Sequence, residues 1–374
     1  MKVSAKAARV AALLGVASAV AIAPVVLAQT PNRGWQELEK KLIGWGPIMP
    51  PMGNATPAKA RQNINYTAAR KQQIDLFASW IRKTYTPFGV LAQPEINIVP
   101  DKASSTYSVP VTSGISMRLW APAYAGNTSK ITRAQPASAA DIGIYSSSLP
   151  GVEPAWWFNT PTRYYFTMTT DRDGKLIDPI YEEKYAPVVS EVRSKIGLTE
   201  GNCVIYVTGG TYITILLLPS GRLPVEPVSC GEALQVAEAG VKKANQQDKN
   251  PPERLKVQLG VIQKMRGKYR DSLNEPAQIR GLQFGIYTFD TTYDVFEDRV
   301  LYPLYKFSPA TYAKAKTNQP PWITIQFPIA NQPDAKEKNK RIYQAMTEKF
   351  NYQYVYDYYF NPQKVKGKPY QTRK

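Results

Sequence analysis

The chain of 374 residues contains no histidine. That absence removes Ser-His-Asp and Cys-His catalysis, imidazole-liganded zinc and any imidazole proton shuttle. Neither a P-loop nor a GxGxxG pattern is present, and no Ser-x-x-Lys could supply a serine–lysine nucleophile pair. Acidic residues are scarce, 29 against 47 lysines and arginines. Paired carboxylates are the common catalytic kit that remains. The candidates Glu182-Glu183 and Asp294/Glu297/Asp298 sit in ordinary charged contexts that a solvated face explains better. The sequence therefore predicts no cofactor and no metal, and it favours a non-enzymatic role over catalysis.

Long hydrophobic runs are also lacking, with one exception at the start. Lys2, Lys6 and Arg9 precede an uncharged Ala/Val/Leu/Ile run over residues 10–23, followed by Pro24 and Val26-Leu27-Ala28. This order predicts a secretory signal peptide cleaved after Ala28. The rival reading is a retained anchor, because the run and its flank approach the roughly 18–20 residues needed to span a bilayer. Export places the protein in the periplasm or outside the cell. The formal charge of +18 then points to acidic partners. Anionic lipid head groups at a membrane surface, acidic polymers and glycans come before nucleic acid, and the bland alternative is an ordinary basic envelope protein. Hydrophobic content of 43% and aromatic content of 11% are those of a chain with real cores.

The remaining pattern predicts an α+β protein in several segments. After the signal at 1–28, a helical region covers 29–92. Ile74, Phe77, Ala78 and Ile81 share one helical face there, and Trp35 and Trp80 are core anchors. A β-rich region covers 93–180, with 123–154 as a long surface loop poor in large apolar residues. Within it, Asp171-Arg172-Asp173-Gly174 predicts a hairpin turn between β-like runs, against the weaker alternative of a calcium loop. A helix over 182–196 carries Val188, Val189, Val192 and Ile196. Strands follow at 203–207, 212–218 and 223–228, the last two joined by a turn at Pro219-Ser220-Gly221-Arg222. Helices are expected at 231–245 and 250–269, and residues 251–374 form a C-terminal α+β region. That region carries strands near 282–289 and 322–327, a helix near 336–350 and a last strand.

The two cysteines, Cys203 and Cys230, form an isolated pair. In an exported protein they are expected to be oxidised, stabilising the fold by about 3–4 kcal/mol on the chain-entropy model. Two unpaired buried thiols are the alternative. Cys203, Pro219-Ser220-Gly221 and Cys230-x-x-Ala233-Leu234 stand in the order helix, Cys, strand, turn, strand, Cys, helix. Over residues 181–248 this resembles the C-terminal domain of TolA and, more loosely, of TonB. The resemblance implies a small helix–hairpin–helix disulfide domain within 181–250 that binds proteins through a sheet edge. Two departures are visible. TolA and TonB carry an N-terminal anchor and a stalk, whereas this chain has globular-looking segments on both sides. Residues 204–211 are also inserted after the first cysteine. Energy transduction is therefore not implied.

Near the C-terminus aromatics recur at every second position. As a strand, residues 350–360 would align Phe350, Tyr352, Tyr354, Tyr356, Tyr358 and Phe360 on one face. Such a face could stack sugars, pack on a neighbouring helix, or donate an edge for assembly. The basic residues beyond it, Lys364 to Lys374, are expected to be disordered and either solvated or in contact with anionic surfaces. Taken together the sequence predicts an exported envelope protein that serves protein interaction or assembly. The alternatives are a carbohydrate- or cell-wall-binding protein and, further back, a carboxylate-dependent hydrolase.

Overall fold

The computed structural model describes residues 35–48, 67–98, 113–154, 165–167, 182–219, 221, 223–248, 251–280, 301–315, 317–330 and 335–374. The expected signal peptide, the Asp171–Gly174 turn, the strand near 282–289 and Asp294, Glu297 and Asp298 lie outside these residues. So do the side chains of Glu182 and Glu183. Among the described residues no helix is long and apolar enough to cross a membrane.

In chain order the first elements are α1 (Trp35–Leu38), α2 (Ala68–Thr84), β1 (Leu91–Ile98), β2 (Ser113–Tyr124), β3 (Ile131–Ser146), β4 (Glu153–Pro154) and β5 (Tyr165–Thr167). Then come α3 (Glu182–Ile196), β6 (Cys203–Thr208), β7 (Tyr212–Leu217), β8 (Val225–Pro227), α4 (Cys230–Asp248) and α5 (Pro252–Lys268). The chain ends with β9 (Gln278–Arg280), β10 (Leu301–Phe307), α6 (Pro309–Ala315), β11 (Ile323–Pro328), α7 (Glu337–Gln344), α8 (Tyr352–Phe360) and α9 (Pro362–Val365). A π-helical turn, Ala345–Lys349, follows α7 directly.

Two sheets organise the described residues. The larger has the order β1-β2-β3-β11-β7-β6 and every neighbour is antiparallel. The smaller runs β4-β5-β10-β8, with β9 also paired to β10. Period-2 alternation gives the large sheet two unlike faces. One carries Ile115, Met117, Leu119, Ile142, Ile144, Ile205, Val207, Ile213, Ile215, Ile323, Ile325 and Phe327, all buried. Against it pack α2, α3 and the C-terminal helices, whose apolar stripes include Ile74, Phe77, Ile81, Val188, Val192, Ile342 and Met346. On the other face, Val204, Tyr206, Leu216, Leu218 and Trp322 meet Phe166 and Phe307 of the small sheet. The Phe307 and Trp322 rings stack with centroids 5.3 Å apart. Beyond the small sheet, Tyr165 and Leu304 face a hairpin of α4 and α5 through Leu234, Val241, Ile262 and Met265. Four layers result: helix, sheet, sheet, helix.

The mixed helix-and-sheet composition agrees with the α+β expectation, but the segments are not separate. The large sheet draws on residues from 91–98, 113–146, 203–217 and 323–328. Sequence periodicity locates α2, α3, α4, α5, β6 and β11. Thr67 caps α2 by accepting from the Arg70 amide at 3.2 Å, and Gly197 in the left-handed region follows the end of α3.

Four expectations need correction. The hairpin over 212–228 does not form. Strand β7 pairs β6 across Gly209 and Gly210, both at positive φ, and β8 pairs β10 in the other sheet. The Gly-Gly pair suits such a turn better than Pro-Ser-Gly. The helix–hairpin–helix unit is thus split between two sheets, and a self-contained TolA-like domain is not confirmed. Next, residues 123–154 are not a loop, because β3 runs through them as the long partner of β2. Third, the aromatic segment is a helix, α8, and not a strand. Asn351 caps it by accepting from the Tyr354 amide at 2.9 Å. Tyr352, Val355, Tyr356 and Tyr359 then share the i, i+3, i+4, i+7 face. Last, the basic tail is packed: the Arg373 amide donates to the Lys349 carbonyl at 2.9 Å, and Tyr370 is buried.

Candidate functional site

The sequence-derived site residues fall into three places. Cys203 lies in the core beneath the large sheet, where its thiol donates to the Thr199 carbonyl at 3.7 Å. Cys230 opens α4 in the core of the helical hairpin. Both thiols are buried and not joined to each other, so the expected disulfide is not formed. The physical reason is the divided hairpin, which sends the two cysteines into different cores. Burial and the nearby Glu275 push the Cys230 thiol above its usual range.

Of the aromatic residues, Tyr352 and Tyr356 are buried, while Tyr354, Tyr358 and Phe360 are half-buried. They serve a clasp around Trp80 of α2. Tyr354, Tyr358 and Tyr359 meet that indole edge-on at 5.4–6.4 Å, and Tyr370 stacks on it at 5.9 Å. Tyr359 accepts from Gln73 at 3.1 Å, and the Tyr370 hydroxyl lies 2.9 Å from Thr84 Oγ1. The flat stacking platform expected of a strand is absent from α8, because a helix distributes these rings around its axis. Packing on a helix is the arrangement found, and the helix is α2.

The less expected arrangement lies on the back face of the large sheet. The small sheet covers the β6, β7 and β11 side of that face with an apolar core. Across β1, β2 and β3 the same face is polar. Register places Glu95 beside Ser116 and Gly143, and Arg118 beside Asp141. Arg118 Nε donates to Glu95 Oε2 at 3.1 Å, and Glu95 is only 4% exposed. Asn97 donates to Ser116 Oγ at 2.7 Å. The Tyr145 hydroxyl also hydrogen bonds Ser116. Further along, Tyr212 hydrogen bonds the Asp141 main chain, Gln326 donates to Thr214 at 3.0 Å, and Thr208 meets Thr214 at 2.5 Å.

Local sequence explains this band. The Tyr145 ring lies flat over Gly143 and Gly114, where any Cβ would come within 2.3 and 2.5 Å of it. Glycine at both positions lets the ring lie down. Register shifts on either side of Trp120 make a bulge that interrupts the β2–β3 ladder there. Arg133 of β3 lies over the Trp120 ring, its guanidinium carbon 5.0 Å from the centroid.

Electrostatics marks the band as unusual. Burial pushes the Glu95 carboxyl up, Arg118 opposes the shift, and Asp141 adds to it. Asp141 is likewise raised by burial against the pull of Arg118. Among the described residues, two buried atoms of the band, Asp141 Oδ1 and Trp120 Nε1, have no hydrogen-bond partner. One is an acceptor without a donor, the other a donor without an acceptor. Buried polar groups left in that state cost about 1–3 kcal/mol each. Among the described residues no cluster of histidine, cysteine, aspartate and glutamate could hold a metal ion.

Sequence reading missed this group altogether. Glu95 and Asp141 are remote in the chain and meet through a strand that reads as loop. The one local signal is the polar–apolar alternation in 115–120, inside the region read as β-rich, and it does not give the strand's neighbours. The fold and band together define an α+β protein with a partly open polar face on its main sheet. No family model, curated protein or solved structure matches the chain.

Proposed function

We propose that the protein is an exported, non-catalytic binding component of the cell envelope that engages its partner through the polar band of β1, β2 and β3. The observation that carries this reading is the pair of unpartnered buried atoms, Asp141 Oδ1 and Trp120 Nε1, on one partly exposed sheet face. A group with complementary donors and acceptors would relieve both costs. The lack of histidine supports binding over chemistry, as does the tie between Glu95 and Arg118, which holds one carboxylate in an ion pair. The N-terminal Lys/Arg and apolar run supports export. An excess of 47 basic over 29 acidic residues suits anionic surface polymers as a secondary attraction.

The β1 edge of the large sheet supports the face, rather than strand addition at that edge, as the docking element. On β1 the Ala92 carbonyl points outward, accepting from the Gly46 amide at 2.8 Å. Pro94, two residues on, therefore offers no outward N–H and blunts the edge.

The test is capture from envelope extract with the chain lacking residues 1–28, beside the Asp141→Ala variant. Partners retained by the first and lost by the second are the expected result. Identical captures by both, with the variant shown to be folded, would remove the polar band from the function.

A further inference from the structure

Resting on that binding role, we infer that the group entering the band is a neutral, hydroxyl-bearing ring, a sugar, which displaces Arg133 and sits on Trp120 with a hydroxyl at Asp141. Four lines on the molecule converge on this class.

Hydrogen bonding comes first. Asp141 Oδ1 needs a donor and Trp120 Nε1 needs an acceptor. A hydroxyl group is both, and a pair of neighbouring ring hydroxyls can serve two sites at once. Charge comes next. Glu95 is already paired with Arg118, which also lies beside Asp141, so neither carboxyl is left unopposed when Arg133 moves aside. A lining whose charges already oppose one another gives little attraction to an ion of either sign that would repay its desolvation. Neutral polar ligands are the ones it favours. Third, the flanking groups are Asn97, Ser116, Tyr145, Tyr212, Thr214 and Gln326, side chains with donors and acceptors and no charge. They continue the band beyond the central pair, and the half-buried ones, Asn97, Tyr145, Tyr212 and Gln326, can meet a second ring of a longer glycan.

Access is the fourth. The unpartnered atoms are buried, so something must move to admit a ligand. Arg133 is exposed and lies over the Trp120 ring. A solvent-exposed cation is held only weakly over an indole face. It can swing aside at little cost and leave an aromatic face for the C–H side of the ring. The register shifts on either side of Trp120 set that indole at an interruption of the β2–β3 ladder.

The experiment follows the Trp120 indole N–H resonance in the 15N-labelled folded protein during titration with maltose and with chitobiose. N-methylacetamide stands for a peptide group, and spermidine and citrate for charged ligands. A saturable shift of that resonance with one of the disaccharides, and none with the other probes, is expected. Assignment rests on loss of the peak in Trp120→Phe. Asp141→Ala should weaken the disaccharide at least tenfold with its thermal transition retained. Arg133→Ala should bind severalfold more tightly, because the cover is gone before the ligand arrives. The inference is overturned if neither disaccharide moves the resonance up to tens of millimolar, if Asp141→Ala binds unchanged, or if Arg133→Ala abolishes binding. A response to N-methylacetamide alone overturns it in favour of a peptide ligand. Envelope capture that depends on Asp141, with no response to sugars, would leave the binding role standing and sink the sugar.

Discussion

Asp141 is held where a carboxylate is costly. It stands on β3 beside Arg118, and burial outweighs that guanidinium in setting its proton affinity. The groups around it are Arg118 and Glu95, Arg133 beside Trp120, and the phenols of Tyr145 and Tyr212. A carboxyl raised in the folded state binds its proton there more tightly than in the unfolded chain. Its stabilising contribution is therefore complete below the ordinary aspartate value of about 3.9 and is lost as pH rises through the higher folded value. Asp141→Asn removes the term and keeps the shape. The variant should match or exceed the parent in Tm near neutral pH, and the difference should shrink or reverse on acidification. Thermal denaturation followed from neutral pH down to about pH 4 reads this directly. Parallel curves for the two proteins would mean that burial does not perturb Asp141.

At the scale of elements, the C-terminal clasp shows how far a correct reading of composition can miss the conformation. The alternation of aromatics from Phe350 to Phe360 satisfies a strand, yet Tyr352, Tyr356 and Phe360 also recur at i+4. Period alone could not choose. Asn351 decided it as a cap, and Trp80 decided it as a partner to wrap. Helices α2 to α5 were legible because their stripes fit one period and their partner surface is a generic apolar sheet. Strand β3 was not, since one of its faces is polar and glycine replaces the large residues a strand usually shows. The candidate site was illegible for the same reason: its members meet through that strand. The clasp itself makes a clear test. Tyr370 stacks on Trp80, bonds Thr84 and accepts from the Asn351 amide at 3.0 Å. Tyr370→Phe should cost about 1–2 kcal/mol through the lost hydroxyl partners. Tyr370→Ala should cost about 3–5 kcal/mol through the cavity as well. Urea denaturation measures both. Negligible loss in Tyr370→Ala would mean that the tail is merely solvated.

For the whole molecule the question is whether four layers act as one unit. The helix-covered core under the large sheet and the core of the α4–α5 hairpin share no residues, and each holds one buried thiol. Between them lies the inter-sheet core, where the Phe166 and Phe307 rings are 4.8 Å apart and Trp322 stacks on Phe307. That middle layer is built from the backs of the same strands that carry the outer cores. Tyr165 faces the hairpin while its neighbour Phe166 faces the large sheet, and Leu304 and Phe307 divide likewise on β10. Opening either outer core therefore disturbs strands on which the inner one depends. Glu232 reinforces the link, accepting from Lys306 at 2.6 Å and from Tyr165 at 3.0 Å. Unfolding should thus be one cooperative transition despite the size of the chain. The two buried thiols report on it from opposite sides. Pulsed alkylation across a urea series, read by peptide mass spectrometry, should expose Cys203 and Cys230 with the same midpoint. Phe307→Ala, by hollowing the middle layer, should separate the two midpoints. Two well-separated midpoints in the parent protein would show instead that the helical hairpin opens as a domain of its own. A mixed-disulfide or Cys203–Cys230 peptide in the untreated protein would overturn the placement of the cysteines in different cores.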